Sequence, residues 1–355
     1  MTRVAIFAKD FVCNTARVVM RKSKLGHRNM SGSLIQTVKE EEETYQVQAL
    51  RPKNLPNIRF RVRPANEDDL PILVKIRQDM GIHDVPTSLL SWMKLDPDGI
   101  KIAETETGDV VGSCSSVFNG DDDDGIYFGG IYCVEPKFQG TGIGQNLFKS
   151  CVEHYGTGNC GLNAVPGMYE VYRDRAGFPV EEPDWVCVKN QTSTDVSQNV
   201  LSNIVPPGVD IQPYQDSFLP AMVAYDQALI GFKRSLQLLY SCEEVDNKTL
   251  VAFKDGVCVG FGTIKESCLG AGRIGPLYAD EPVIAEVILR RLLDSFPERK
   301  GFAMMTISNN MHANSFLRKL GCPAKEECRR LYSSKRLMVD TSKIYAHFDI
   351  NFSPF

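Results

Sequence analysis

A glycine-rich stretch, "VEPKFQGTGIGQNLF" (Val134 to Phe148), is the part of the sequence that most clearly suits chemistry. Glycine loses more conformational freedom on folding than any other residue, so Gly140, Gly142 and Gly144 indicate that something must approach the backbone closely. The stretch joins a predicted strand to a predicted helix. Because a helix begins with unpaired N–H groups and a partial positive charge, glycines there leave the amides accessible. The pattern predicts a cradle for a pyrophosphate.

The spacing of these glycines excludes two common nucleotide sites. A dinucleotide-binding fold requires G-x-G-x-x-G after the first strand of its unit, and a P-loop requires G-x-x-x-x-G-K-[ST]. The sequence has G-x-G-x-G after the fourth predicted strand, and it contains no P-loop string. The loop is therefore expected to hold a different pyrophosphate.

The strand and helix patterns around the loop occur twice along the chain. Residues 58–191 read as β, α, α, β, β, β, α, β, α, β, which predicts an α/β domain with a mixed sheet and helices packed on it. After a linker at 192–208, residues 209–340 repeat this order in outline, as expected for a tandem duplication. Residues 341–355 are expected to form a C-terminal tail.

Composition limits the partners. The net charge of −4 over 355 residues gives no basic surface for nucleic acid, and no apolar run is long enough for a membrane span. The 11 cysteines include no CxxC pair and no zinc spacing. We expect free thiols in a reducing compartment and no metal site.

Residues 1–57 are expected to be a disordered basic tail and linker. The first 30 residues are rich in arginine and lysine and poor in acids. This composition is typical both of a simple basic tail and of a mitochondrial transit peptide. A cytoplasmic location is expected, and a mitochondrial one stays open.

One family has this glycine pattern in this place. The string Val134-x-Pro136-x-x-Gln139-Gly140-x-Gly142-x-Gly144 resembles the acetyl-CoA signature, Q/R-x-x-G-x-G/A, of the GNAT superfamily of N-acetyltransferases. The resemblance covers about residues 58–189, including the strand before the loop and the helix after it. It implies that acetyl-CoA is the co-substrate and that a primary amine attacks the thioester directly.

The resemblance also implies which residues contact the cofactor. The strand 131–134 would pair with pantetheine, and its N–H groups near Cys133 and Val134 would polarise the thioester carbonyl. Asn163 is a further candidate contact. The backbone amides expected to hold the pyrophosphate are those of Gln139, Gly140, Thr141, Gly142, Ile143 and Gly144.

Two proton transfers need side chains, because the amine must lose a proton and the thiolate must gain one. The family often uses a tyrosine ahead of "GF" as the acid. Tyr172 lies one residue earlier than that position, so a packing role is the alternative. Candidates for the base, and for contacts to the acceptor, are the carboxylates of Glu170 and of the run Asp121, Asp122, Asp123 and Asp124. The run is equally compatible with a solvated loop.

The second unit resembles a C-terminal GNAT-like domain found after a GNAT domain in some bacterial and nematode proteins. Its loop lacks the glycines and carries Asp280 and Glu281 where amides should face phosphate. Acids there would repel the ligand, so we expect a degenerate domain, with a second small-ligand site as the alternative. The expected acceptor is a small-molecule amine or a basic peptide. A non-catalytic CoA-binding sensor is the alternative function, and the oligomeric state stays open.

Overall fold

The structure is a computed structural model that describes residues 58–322 and 324–355. The predicted tail and linker at 1–57 lie outside the described residues. Within the described ranges, no helix has the length and apolarity needed to cross a bilayer.

The first half contains the ten strands and helices that the sequence predicts, with boundaries that differ by a few residues, and one further short strand at Val180–Glu181. They are β1 (Phe60–Pro64), α1 (Leu70–Asp79), α2 (Pro86–Leu95), β2 (Ile100–Thr105), β3 (Val110–Asn119), β4 (Ile126–Val134), α3 (Ile143–Tyr155), β5 (Cys160–Ala164), α4 (Tyr169–Arg175), β6 (Val180–Glu181) and β7 (Cys187–Thr192).

The second half repeats this order, as the duplication predicts. Its elements are β8 (Val209–Pro213), α5 (Leu219–Ile230), α6 (Ser235–Glu243), β9 (Lys248–Lys254), β10 (Val257–Glu266), β11 (Ala271–Ala279), α7 (Pro282–Asp294), β12 (Gly301–Ile307), α8 (Met311–Lys319), β13 (Ala324–Tyr332) and β14 (Ile344–Ala346).

Local sequence explains how α1 begins. The Asn66 side chain accepts a hydrogen bond from the N–H of Asp68 at 3.0 Å, and the Asp69 carboxylate accepts one from the N–H of Asn66 at 2.9 Å. This capping box closes a short 3₁₀ turn that leads directly into α1.

Helix α3 is amphipathic, and it buries Ile143, Leu147 and Cys151 against the sheet.

The two halves share one continuous sheet because they exchange strands. Strand β13, from the second half, pairs with β5 of the first half, and β7, from the first half, pairs with β12 of the second. β13 and β7 also pair with each other, which joins the strands in the order β1-β2-β3-β4-β5-β13-β7-β12-β11-β10-β9-β8. The sequence instead predicts that β7 closes the unit of the first half. Alternation of apolar and polar residues predicts a strand but does not specify its partner.

The expectation of a C-terminal tail at 341–355 is wrong in structural terms. β14 pairs with β11, and Phe348, Phe352 and Phe355 are buried in the core that the two halves share. The segment is rich in apolar residues that gain stability only by burial, so it packs between the halves instead of extending from them.

A buried arginine anchors this C-terminal segment. Arg234 forms a two-bonded ion pair with Asp226 at 2.8 Å, and both side chains are completely buried. Its remaining N–H groups reach Ser353 Oγ at 2.7 Å and the carbonyl oxygen of Phe355 at 3.2 Å. One guanidinium thus connects α5, α6 and the end of the described chain.

Replacing Arg234 by methionine should destabilise the protein by about 3–5 kcal/mol, because the Asp226 carboxylate would remain buried without its partner. Urea denaturation of the full chain measures this. The control is Lys75→Met, which breaks the exposed pair between Lys75 and Asp79 and should cost less than about 1 kcal/mol. Equal midpoints for the two variants would contradict the anchoring role.

Candidate functional site

The glycine loop has the geometry of an anion cradle. Gly140 and Gly142 have φ angles of 78° and 91°, in the left-handed region that side chains disfavour. Gln139 Nε2 donates to the carbonyl oxygen of Val134 at 2.9 Å, and Thr141 Oγ1 donates to that of Phe138 at 2.6 Å. These two side chains therefore shape the loop, and the amides at the start of α3 form the part suited to an anion.

The third glycine of the loop also packs closely against a neighbouring side chain. A Cβ on Gly144 would lie 2.5 Å from the hydroxyl oxygen of Tyr132. Gly144 is therefore needed for the close packing of Tyr132 against α3, whereas Gly140 and Gly142 are needed for the turn.

Strands β4 and β5, beside the cradle, are paired at one end and separate along the rest of their length. β4 and β5 pair in parallel only over Tyr127–Gly129 and 160–162. Beyond this point β4 has a bulge, because the register with β3 shifts between Ser113 and Ser115. Ile131 lies in the bulge with a φ of 42°, and Ser113 Oγ donates to its carbonyl oxygen at 2.8 Å. A bulge turns the backbone that follows it, and bulges and strained residues are common next to active sites.

A cavity of about 170 Å³ lies in the gap where β4 and β5 part. One end, the helix end, is lined by residues of α3, α4 and the preceding loop, among them Phe148, Cys151, Met168 and Tyr172. The other end, the junction end, is lined by residues that meet where the two halves join, among them Arg77, Lys189, Met305, Glu326 and Asn351. The cavity thus connects the cradle helix with the junction of the two halves.

Tyr172, the predicted acid, does line the cavity. Its side chain is buried, with its ring 6.4 Å from that of Phe148 and 6.3 Å from that of Phe178, centroid to centroid. Burial raises the pKa of Tyr172, so the phenol keeps its proton at neutral pH. The position therefore suits a hydrogen-bond donor toward the cavity. The ring also packs against its aromatic neighbours, which is the alternative role that the sequence leaves open.

The structure does not bring the predicted carboxylates to the cavity. The run Asp121–Asp124 lies in the β3–β4 loop, at the end of β4 opposite to the cradle. The carboxylate of Asp121 accepts from the N–H of Ser235 at 2.8 Å and lies 3.6 Å from Lys233 Nζ, so it connects the two halves. Glu170 is exposed on α4.

Asn163 lines the cavity, but its side chain is engaged with protein. Its Nδ2 donates to the carbonyl oxygen of Ile350 at 3.0 Å, and its Oδ1 accepts from Arg330 Nε at 2.9 Å. The Asn163 side chain thereby holds the C-terminal segment.

The Cys133 side chain also contacts protein, because its sulfur lies 3.2 Å from Ser113 Oγ. A backbone contact from Asn163 or Cys133 to a cofactor stays a prediction.

The residues of the junction end have no recognisable signal in the sequence. Lys189, Glu326 and Asn351 come from β7, β13 and the C-terminal segment, which are far apart in the chain. No local spacing could have grouped them, because the strand exchange brings them together.

The equivalent gap in the second half is filled by the protein itself. β11 and β12 pair over Ala271–Ile274 and 301–304, and beyond this β14 pairs with β11 at Leu277 and Tyr278. The carboxylate of Asp280 is bound by Lys343 Nζ at 2.9 Å. α7 starts with a proline, which has no N–H to offer an anion. These features match the expectation of a degenerate site and disfavour a second ligand site there.

Comparison with protein families agrees with this architecture. Residues 71–178 match the acetyltransferase (GNAT) family, and residues 222–346 match an acetyltransferase (GNAT) domain. The chain belongs to the GNAT superfamily. The two matched ranges cover more than half of the chain and confirm a tandem arrangement of GNAT domains. A search among curated proteins gives no match.

Solved structures show the same fold. A Pyrococcus horikoshii protein assigned as an acetyltransferase has a TM-score of 0.64 at 19% identity, covering 85% of this chain and 98% of its own. A GCN5-related N-acetyltransferase from Sphaerobacter thermophilus has a TM-score of 0.51 at 14% identity, over 82% and 100%. A tandem GNAT protein from the clavulanic acid biosynthesis pathway has a TM-score of 0.53 at 12% identity, over 77% and 98%. At such identities the likeness concerns the fold alone.

Substitution of Gly130 should disturb the wall of the cavity. A Cβ at this position would overlap the carbonyl oxygen of Asn351, because the C-terminal segment lies directly on the β4 backbone. Gly130→Ala should therefore destabilise the protein by about 1–3 kcal/mol, measured by urea denaturation, and expose the C-terminal segment to proteolysis.

The neighbouring glycine provides a matched control for this substitution. A Cβ at Gly129 would find its nearest neighbours at 3.6 Å, an ordinary contact distance. Gly129→Ala should leave both the stability and the proteolysis pattern close to those of the wild type. If the two variants behaved alike, the C-terminal segment would not be packed on β4 in solution.

Proposed function

We propose that the first half of the chain is an acetyl-CoA-dependent N-acetyltransferase that moves an acetyl group to a primary amine by direct attack. Membership of the superfamily gives acyl transfer as the general activity. The observation that carries the finer proposal is the continuity of the site. The glycine cradle begins the same helix, α3, that lines the helix end of the cavity between β4 and β5.

The residues present fit a CoA thioester. The pyrophosphate would lie on the amides of the cradle between Gln139 and Gly144, where left-handed glycines leave the backbone bare. The unpaired edge of β4 after the bulge at Ile131 would pair with pantetheine as an added strand does. Among the described residues there is no group of three or more His, Cys, Asp or Glu side chains placed to hold a metal ion.

Acetyl-CoA, when bound, supplies an acyl group activated as a thioester. The chain would contribute the N–H groups near Cys133 and Val134, which can stabilise negative charge on the carbonyl oxygen. An alkylamine is mostly protonated at pH 7 and must lose a proton before it attacks. Glu326 is a carboxylate that lines the cavity, unlike Glu170 and the Asp121–Asp124 run, and Tyr172 lines it with a protonated phenol.

Binding of acetyl-CoA should raise the melting temperature of the full chain. At about 100 times its dissociation constant, a ligand of the folded state adds about 2.7 kcal/mol of stability. Gly142→Glu should abolish the shift, because a carboxylate at φ 91° would face the pyrophosphate. The control is Gly108→Glu in the β2–β3 turn, where φ is 84° and a Cβ meets no neighbour. Loss of the shift in both variants, or no shift in the wild type, would refute the cradle assignment.

Tyr172→Phe should lower kcat for thiol release from acetyl-CoA by about 100-fold or more if the phenol donates a proton or hydrogen bond in the reaction. The thermal shift with acetyl-CoA should persist, since the variant keeps the ring that packs against Phe148. Unchanged kcat would assign Tyr172 to packing alone.

If a panel of amino acids, polyamines, aminosugars and lysine peptides gave no thiol release while acetyl-CoA still bound, the sensor function would replace the proposed one.

A further inference from the structure

Two opposite charges face each other at the junction end of the cavity. Lys189 on β7 and Glu326 on β13 are directly paired across the exchanged strands, and both line the cavity. Cross-strand neighbours of opposite charge normally associate. Yet within residues 58–322 and 324–355, neither side chain has an ion-pair partner within 4 Å or a side-chain hydrogen bond.

The other charges nearby already have partners. Arg77 pairs with Asp84 at 2.5 Å and contacts Asn351 Oδ1 at 3.2 Å, and Arg273 pairs with Asp349 at 3.1 Å. These pairs leave Lys189 and Glu326 as the charges at the junction end that are available to a ligand.

The position of Lys189 is unfavourable without a ligand. Burial lowers the pKa of Lys189, because its ammonium loses water, and the Glu326 carboxylate, which lies beyond ion-pair distance, offsets only part of this loss. A bound carboxylate would restore a partner to this ammonium. Charged groups kept in a cleft at such a cost are a common property of binding sites.

The remaining surface of the junction end is largely apolar. Its lining includes Met80 and Ile82, which follow α1, and Met305 and Cys328, from β12 and β13. A ligand that fits this end therefore combines a carboxylate, an amine and an apolar side chain.

We propose that the acceptor is an amino acid with an apolar side chain, whose carboxylate pairs with Lys189 and whose amine lies against Glu326. The inference rests on the proposed acetyltransferase function and names its acceptor class. It makes the second half of the chain, through β12 and β13, part of the acceptor site of the first.

Each proton and the leaving group of this reaction have a place to go. Glu326 takes the proton that the ammonium must lose, directly or through water. The amine nitrogen then forms a bond to the acyl carbon of the thioester while the carbon–sulfur bond breaks. The leaving sulfur takes a proton from Tyr172 or from water, and the nitrogen releases its second proton to the tyrosinate or to water. The products are an N-acetylamino acid and free CoA.

Steady-state kinetics with matched acceptors test the role of the carboxylate. L-alanine, L-leucine, L-methionine and L-phenylalanine are each compared with the corresponding decarboxylated amine and amide, with acetyl-CoA saturating. We expect at least one amino acid to exceed its decarboxylated amine in kcat/KM by tenfold or more, since charge-assisted bonds are among the strong ones. No such preference in any of the four sets would overturn the inference.

Variants of Lys189 test the site itself. Lys189→Met should raise KM for the preferred amino acid by about 10- to 100-fold, with little change for its decarboxylated amine, and Lys189→Arg should restore much of the difference. The control is Lys325→Met, an exposed lysine of the same strand as Glu326. An equal effect on both acceptors, or the same effect in the control, would count against the assignment.

A binding measurement separates this inference from the proposed function. Isothermal titration of each of the four amino acids into the full chain, with no thioester present, should give binding for at least one that Lys189→Met weakens. If amino acids bind but no acetyl transfer occurs, the site assignment stands and the proposed activity fails. If the simple amines are acetylated and no amino acid binds, the activity stands and the acceptor class is wrong.

Discussion

The burial of Arg330 is the interaction on which the arrangement of the two halves depends. Its guanidinium is fully buried on β13, 4.7 Å from the ring centroid of Phe128 and 5.3 Å from those of Trp185 and Phe355. Asn163 of β5 accepts a hydrogen bond from its Nε. A cation removed from water needs partners that replace its hydration. These partners come from the first half and from the C-terminal segment, whereas Arg330 belongs to the second half, so neither half could bury it alone.

The strand exchange also explains why the two halves differ in their use of the same fold. Each half has a gap where two parallel strands part. In the second half β14 fills the gap and pairs with β11, whereas in the first half the gap remains a cavity. The chain then continues from β14 to Asn351, which lies on Gly130 at the edge of that cavity. One segment therefore closes one site and builds a wall of the other.

The sequence predicts the features that depend on neighbouring residues, and it does not predict the contacts between residues that are far apart in the chain. The strand–loop–helix at the cradle, the repeat, and the loss of glycines in the second half all follow from neighbouring residues, and the superfamily assignment confirms the fold they imply. Lys189 and Glu326 carry no such signal, because strand pairing across the halves brings them together. The prediction that Asp121 contacts the acceptor failed for the same reason. Its charge is visible in the sequence, but its partner, the backbone N–H of Ser235, is not.

The exchange places the junction end of the cavity on paired strands and not on loops. Strand pairing fixes the positions of Lys189 and Glu326 relative to each other and to β4, since β4, β5, β13 and β7 are consecutive in one sheet. Groups on such rigid elements hold a reacting amine more precisely than loops do, and correct positioning supplies much of the rate in direct transfer. In the acetyltransferase that we propose, a second half without its own cradle would still serve the first half, because its strands would orient the acceptor.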